Sequence, residues 1–313
     1  MTQEFRRREI SRNGVRLSYL DNDAAGPVVI LLHGLAGAGD EFTATARAVG
    51  AAYQFVLPDL RGHGASPRRP ADLSRAAFTS DVAALIRHVS PGGPVALAGQ
   101  SMGGQTAILT AAAHPELVER LVLLEADAAG GADAARIGSY FRSWPLPFAS
   151  ADAALEFLGD DALSRSWVSH LEPAAAGGLV PPFEADVMEA IMVGVADPIW
   201  QQWKSVAAPS AAVFAAKSMF SPEAQAEFVA ARPGTRHVVL PSGSHDAHLD
   251  ATAEWAAVLH EALTDRISSL GGERTRGRDS QHGSWPVRKP LRDGEGLLTW
   301  RARRDSNPQP SDP

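Results

Sequence analysis

Residues 99–104 read "GQSMGG", a serine set between glycines directly after the apolar run "PVALA" at 94–98. The run predicts a buried strand. The stretch after Ser101, "MGGQTAILTAAAHPE", is rich in Ala, Leu and Ile and predicts a helix ending near Pro115. Ser101 therefore stands at a strand-to-helix turn. Glycines two residues before it and two after it let the backbone turn sharply without a Cβ clash. Such a turn lifts the hydroxyl above the sheet edge. It also leaves the first helical N–H groups, chiefly that of Met102, facing any anion that develops there. This is the G-x-S-x-G nucleophile-elbow pattern. Without the flanking strand and helix, the same letters would read as a glycine-rich turn with a capping serine.

Outward from this stretch, strands are predicted at "VRLSYL" (15–20), "PVVILL" (27–32), "YQFVLPD" (53–59) and "RLVLLE" (120–125). Helices are predicted at "DEFTATARAVG" (40–50) and over 74–89. Apolar strands alternating with helices predict a doubly wound, mostly parallel α/β sheet, whose ligand site lies at the carboxyl ends of the strands. His33, Asp59, Ser101 and Glu125 stand at those ends. The alternation breaks over 127–203, where short helical pieces carry Trp144, Trp167, Trp200 and Trp203, and this segment reads as a helical cap lying over the sheet. It resumes with a strand at 209–216, a helix near 221–231, a strand at 236–241 and a helix over 248–264. The expected core is thus 1–126 with 204–267. Residues 268–313, rich in Gly, Pro and Arg without periodicity, are expected to be a disordered tail. From Arg266 onward, ten Arg or Lys face six Asp or Glu, a net charge of +4, which leaves −11 on the rest of the chain.

The 313 residues carry a net charge of −7, which gives no reason to expect a nucleic-acid or anionic-membrane partner. No apolar run reaches membrane-spanning length, and "MTQEFRRREI" has no apolar leader core, so a cytoplasmic protein is expected. With no cysteine there is no disulfide, thiol nucleophile or cysteine metal site. No metal or other cofactor is expected, and the expected partner is a small-molecule substrate.

Three further stretches bear on Ser101. "LLHGLAGAGDEF" (31–42) ends a strand in a loop whose Leu35 or Ala36 N–H, with that of Met102, would make a two-donor oxyanion hole. "LPDLRGHGAS" (57–66) reads as a strand and tight turn whose Asp59 and His63 tie the loop's own backbone. In "VVLPSGSHDAHLD" (238–250), His245 follows a strand and a glycine loop at the same sheet edge, placed to take the proton of Ser101. His248, at the helix start, reads as a packing or hydrogen-bonding group.

In this order the four stretches resemble the α/β-hydrolase fold superfamily over roughly residues 10–265. The resemblance implies a nucleophile–acid–histidine triad in that chain order, with Ser101 as nucleophile, His245 as base and the N–H groups of Leu35 and Met102 as oxyanion donors. It also implies that 127–203 is a cap over the active site. Most members carry the acid after the strand matching "AAVFAA", but here that loop is "KSMFSPE" (217–223), with no Asp. The superfamily's second location follows the strand after the nucleophile helix. Here it reads "LVLLEADAAG" (121–130), which makes Glu125 the expected acid and Asp127 the alternative.

A serine nucleophile argues against dehalogenase or epoxide-hydrolase chemistry, which in this superfamily needs aspartate. It fits acyl transfer instead. The expectation is a hydrolase of small, largely apolar esters or lactones. A non-catalytic receptor of the same fold, or an acyltransferase or perhydrolase, is the alternative. Arg136, Arg142 and Arg165 in the cap are candidates for a substrate carboxylate or, more simply, solvated surface.

Overall fold

The computed structural model describes residues 4–12 and 15–264. The chain opens on a hairpin of β1 (Arg6–Arg12) and β2 (Val15–Asp21). Then come β3 (Val28–Leu32), α1 (Thr43–Val49), β4 (Gln54–Pro58), α2 (Arg75–Val89), β5 (Val95–Gln100), α3 (Met102–Ala113) and β6 (Val118–Leu124). An insertion follows with α4 (Ala134–Arg142), α5 (Ala151–Leu158), α6 (Ala162–Ser169), the small hairpin β7 (Glu172–Pro173) and β8 (Leu179–Val180), and α7 (Ala185–Val195). The chain returns through α8 (Trp200–Ser205), β9 (Ser210–Phe214), α9 (Pro222–Ala230), β10 (Arg236–Val239), α10 (Ala247–Asp250) and α11 (Thr252–Thr264).

The eight-stranded sheet has the order β1-β2-β4-β3-β5-β6-β9-β10. β2 runs antiparallel to both its neighbours, and the other pairs are parallel. Strand side chains alternate between two cores, as a pleated sheet requires. Ile30 and Leu32 face one core with Phe78 of α2, Ile108 of α3, Trp203 of α8 and Phe228 of α9. Val29 and Leu31 face the other with Ala46 of α1 and Trp255 of α11. Helices on both faces make this the doubly wound α/β sheet that the alternation predicts.

Several helix starts are set by short polar side chains. The hydroxyls of Ser74, Ser150 and Ser221 accept from the N–H three residues on, and so do the carboxylates of Asp133 and Asp161. The structure departs from expectation at three elements. β1 is a strand although "RRREISR" carries five charged residues, the helix expected over 248–264 breaks at Ala251, and β7 with β8 adds a hairpin to an otherwise helical insertion. Trp200 and Trp203, read from sequence as part of the cap, lie in α8 against the core. Trp203 stacks on Phe228 at 4.5 Å and donates its indole N–H to the Phe228 carbonyl. The expected tail, 268–313, lies outside the described residues.

Candidate active site

Register brings three strand ends level. Leu32 pairs with Gly99, and Gln100 pairs with Leu124, so His33, Ser101 and Glu125 follow directly at one sheet edge. Ser101 has φ 52° and ψ −120°, a left-handed conformation that a side chain resists, and Glu125 beside it has φ 49°. The glycines around Ser101 answer to close packing. A Cβ on Gly99 would meet the Gly103 carbonyl oxygen at 2.4 Å, and one on Gly103 would meet the Leu32 oxygen at 2.3 Å. The elbow closes only because these side chains are missing. Met102 begins α3, so its N–H has no acceptor within the helix and sits at the positive end of the helix dipole. Among the described residues, no carbonyl or side chain takes up the Leu35 N–H.

Glu125 is fully buried. Its Oε1 accepts the Ala215 N–H at 2.7 Å. Its Oε2 accepts the Met219 N–H at 3.3 Å and faces His245 Nδ1 at 3.2 Å. The loop that lacks an acid in sequence therefore supplies backbone donors to an acid from the next strand. Two readings of Glu125, a carboxylate tied to backbone N–H groups and a partner of the histidine, hold together. His245 is partly open, with 27% of its side chain exposed. Burial disfavours its charged form, but the hydrogen bond to Glu125 and the charges of Asp246 and Glu125 overcome this, so its pKa lies above the ordinary imidazole value. With Nδ1 on Glu125, Nε2 is the nitrogen turned away from the carboxylate. The His245 backbone is fastened beside Ser101, because Gln100 Nε2 donates to the His245 carbonyl at 2.9 Å.

Asp127 is not in this group. It is partly buried, which raises its pKa, and its hydrogen bonds run to the Ala129 N–H and the Gln105 side chain. Asp59 and His63 tie the 57–66 loop, as expected. Asp59 accepts from the Gly39 and Ala65 N–H groups, and His63 Nδ1 pairs with the Arg61 carbonyl. His248 is buried, stacked on Phe42 at 4.8 Å with Nε2 3.5 Å from Glu41. Arg136, Arg142 and Arg165 pair with Asp133, Glu189 and Asp160 on the exposed side of the insertion. In its interior, Phe141, Trp144, Trp167 and Phe183 form an aromatic cluster, with Phe141 and Phe183 edge-to-face at 5.0 Å. Sequence reading missed Gln100, Asp246 and the Ala215 and Met219 amides. None has a spacing that marks it, since each acts through the placement of its chain in three dimensions. Among the described residues no group of three or more His, Cys, Asp or Glu is gathered as a metal site, and no helix is long and apolar enough to cross a membrane.

With this geometry in view, a family model described as "alpha/beta hydrolase fold" matches residues 27–162. The chain has the α/β-hydrolase fold. Among curated relatives it is 38% identical over 128 residues to the sn-1-specific diacylglycerol lipase ABHD11 of Mus musculus, a match covering 40% of this chain. It is 40% identical over 99 residues to a putative esterase/lipase of Haemophilus influenzae, a match covering 32% of this chain. The chain spans 41% and 34% of the length of those two relatives. Among solved structures, E-2-(acetamidomethylene)succinate hydrolase superposes with a TM-score of 0.77 at 20% identity, covering 84% of this chain and all of that one. The enol-lactonase of Burkholderia xenovorans LB400 superposes with a TM-score of 0.66 at 20% identity, covering 82% of this chain and all of that one. These structures share the α/β-hydrolase fold.

Proposed function

We propose that the protein is a serine hydrolase that cleaves small, largely apolar carboxylic esters or lactones through an acyl-enzyme intermediate. The observation that carries this reading is the 3.2 Å approach of His245 Nδ1 to the buried Glu125 carboxylate, at the sheet edge where Ser101 holds its strained turn. Glu125 fixes the ring so that Nε2 takes the Ser101 proton as Oγ attacks the substrate carbonyl, and it stabilises the imidazolium that forms. The N–H groups of Leu35 and Met102 receive the oxyanion. The imidazolium gives its proton to the departing alcohol. Water, activated by the same nitrogen, then releases the acid.

The aromatic interior of the insertion favours an apolar acyl or ring-bearing group. The relatives named as lipase and esterase support ester cleavage. The absence of an Asp from 217–223, where Glu223 already belongs to α9, is what points to a receptor of the same fold. The Glu125–His245 contact supports the enzyme reading instead. Acyltransfer or perhydrolysis would use the same acyl-enzyme with another acceptor. The test is p-nitrophenyl butyrate hydrolysis, wild type beside Ser101→Ala. The expected result is turnover in the first and none above background in the second. A folded wild type without turnover, or an unaffected variant, contradicts the reading.

A further inference from the structure

We propose that His33, through its imidazole, is a positioning residue that locks the oxyanion-hole peptide, and that the 57–66 turn is its buttress. The inference rests on the serine-hydrolase reading above. His33 is fully buried. The Leu60 N–H donates to its Nε2 at 2.9 Å. A backbone N–H can only donate, so Nε2 is the bare nitrogen and the ring proton is on Nδ1. Nδ1 lies 2.7 Å from the Gly34 carbonyl oxygen and therefore donates to it. The Gly37 N–H reaches the same oxygen at 3.3 Å, closing a turn with Ala36 at φ 59°.

The Gly34 carbonyl and the Leu35 N–H belong to one peptide unit. In a trans peptide they point to opposite sides. Fixing the carbonyl on His33 therefore aims the Leu35 N–H the other way. The loop passes directly against the elbow, since a Cβ on Gly34 would stand 2.2 Å from Gln100 Oε1 and 3.5 Å from the Ser101 Cβ. Ala36 in a left-handed conformation makes this turn costly to hold, and a flip of the 34–35 peptide would cost the oxyanion one donor.

The buttress keeps the ring in the required form. Burial lowers the His33 pKa, against the charge of Glu41 and the bond to Gly34, so it stays neutral and keeps its acceptor nitrogen. His63 packs edge-on against it at 5.0 Å, and burial pushes its pKa down to about 3, so it too stays neutral. Asp59 anchors both ends of the surrounding backbone through Gly39 and Ala65. The turn "LPDLRGHGAS" thereby acts on the reaction, through His33, without touching substrate.

The test compares His33→Ala, His33→Asn and His33→Gln in p-nitrophenyl butyrate turnover, in affinity for phenylboronic acid, whose tetrahedral adduct puts an oxygen in the oxyanion hole, and in melting temperature. Asn carries an N–H near the place of Nδ1 and no acceptor toward Leu60. Gln reaches toward Leu60 and offers no donor near Gly34. His33→Ala and His33→Gln are expected to lose about 10–100-fold in kcat and in boronate affinity together, below the ~100–1,000-fold of an outright donor deletion, with KM within about threefold. His33→Asn is expected to recover most of that loss even where its melting temperature falls. A role confined to satisfying Leu60 predicts the reverse order, Gln above Asn. That order, or an unaffected kcat in His33→Ala, overturns the proposal. If the Ala variant does not fold, the Asn and Gln pair decides. Wild-type turnover that survives Ser101→Ala would overturn the hydrolase reading itself, whatever the His33 variants do.

Discussion

At the scale of single residues, the account turns on which carboxylate serves His245. Glu125→Gln keeps the shape and the Ala215 contact while removing the charge. The expected loss is at least about a hundredfold in kcat, roughly 2.7 kcal/mol of transition-state stabilisation, with KM little changed. Asp127→Asn, whose partners are Ala129 and Gln105, is expected to cost less than about tenfold. Steady-state kinetics of the two variants check the assignment, and the opposite ranking would exchange the residues. The pH profile adds a second reading. An imidazole base works only when neutral, so with His245 as the proposed base kcat/KM is expected to fall as pH drops through its free-enzyme pKa. That pKa lies above the ordinary imidazole value, and removing the Glu125 charge lowers it. The acid limb of Glu125→Gln is therefore expected at lower pH than that of wild type, beneath a reduced plateau.

Among elements, two of the polar contacts between the insertion and the core lie at Asp40 and Glu41, just after the 33–37 loop. Ser166 Oγ of α6 donates to Glu41 Oε1 at 2.9 Å, and His170, just past α6, lies 2.7 Å from Asp40 Oδ1. Burial opposes the charge on His170. The hydrogen bond and charge of Asp40, with Glu41, overcome it and raise the pKa. A histidine with a raised folded pKa stabilises fully below its unfolded value, and that contribution is lost as pH rises through the folded one. Relative to wild type, His170→Gln is expected to melt about 2–4 °C lower at pH 6, the shift ~1 kcal/mol gives in a domain of this size, with the gap closing at alkaline pH. Differential scanning calorimetry across pH checks this, and a gap that widens with pH would refute it.

Elements also show what the sequence could and could not disclose. β3, β5 and β6 were legible because strands buried on both faces are continuous apolar runs. β1 was not. It is an edge strand whose arginines are half-exposed and pair with acids elsewhere, Arg7 with Asp59 and Arg8 with Asp23, so nothing in its own letters alternates toward a core. The break at Ala251 was hidden because local composition favours helix on both sides of it. In the candidate site, Ser101 and Glu125 were readable as strand-end residues and His245 as a loop residue at the same sheet edge. The amides that hold Glu125, and Gln100 on the His245 carbonyl, were not, because backbone groups carry no residue signature.

For the whole molecule, the described residues gather sheet, helices and insertion into one compact unit, and the candidate site lies on the sheet edge that α/β proteins use for ligands. The 268–313 segment, outside the described residues, carries little apolar periodicity in its sequence. Truncation after Leu270 is expected to leave melting temperature and ester hydrolysis unchanged. A fall of several degrees in a thermal melt would show that the segment packs.

The central claim is that Ser101 is an activated nucleophile. Reaction with a fluorophosphonate, followed by peptide mass spectrometry, measures it most directly. The account predicts one modified peptide, carrying the adduct at Ser101, and no modification of Ser101→Ala. An adduct on another residue, or an unreactive wild type with its fold intact, would contradict it.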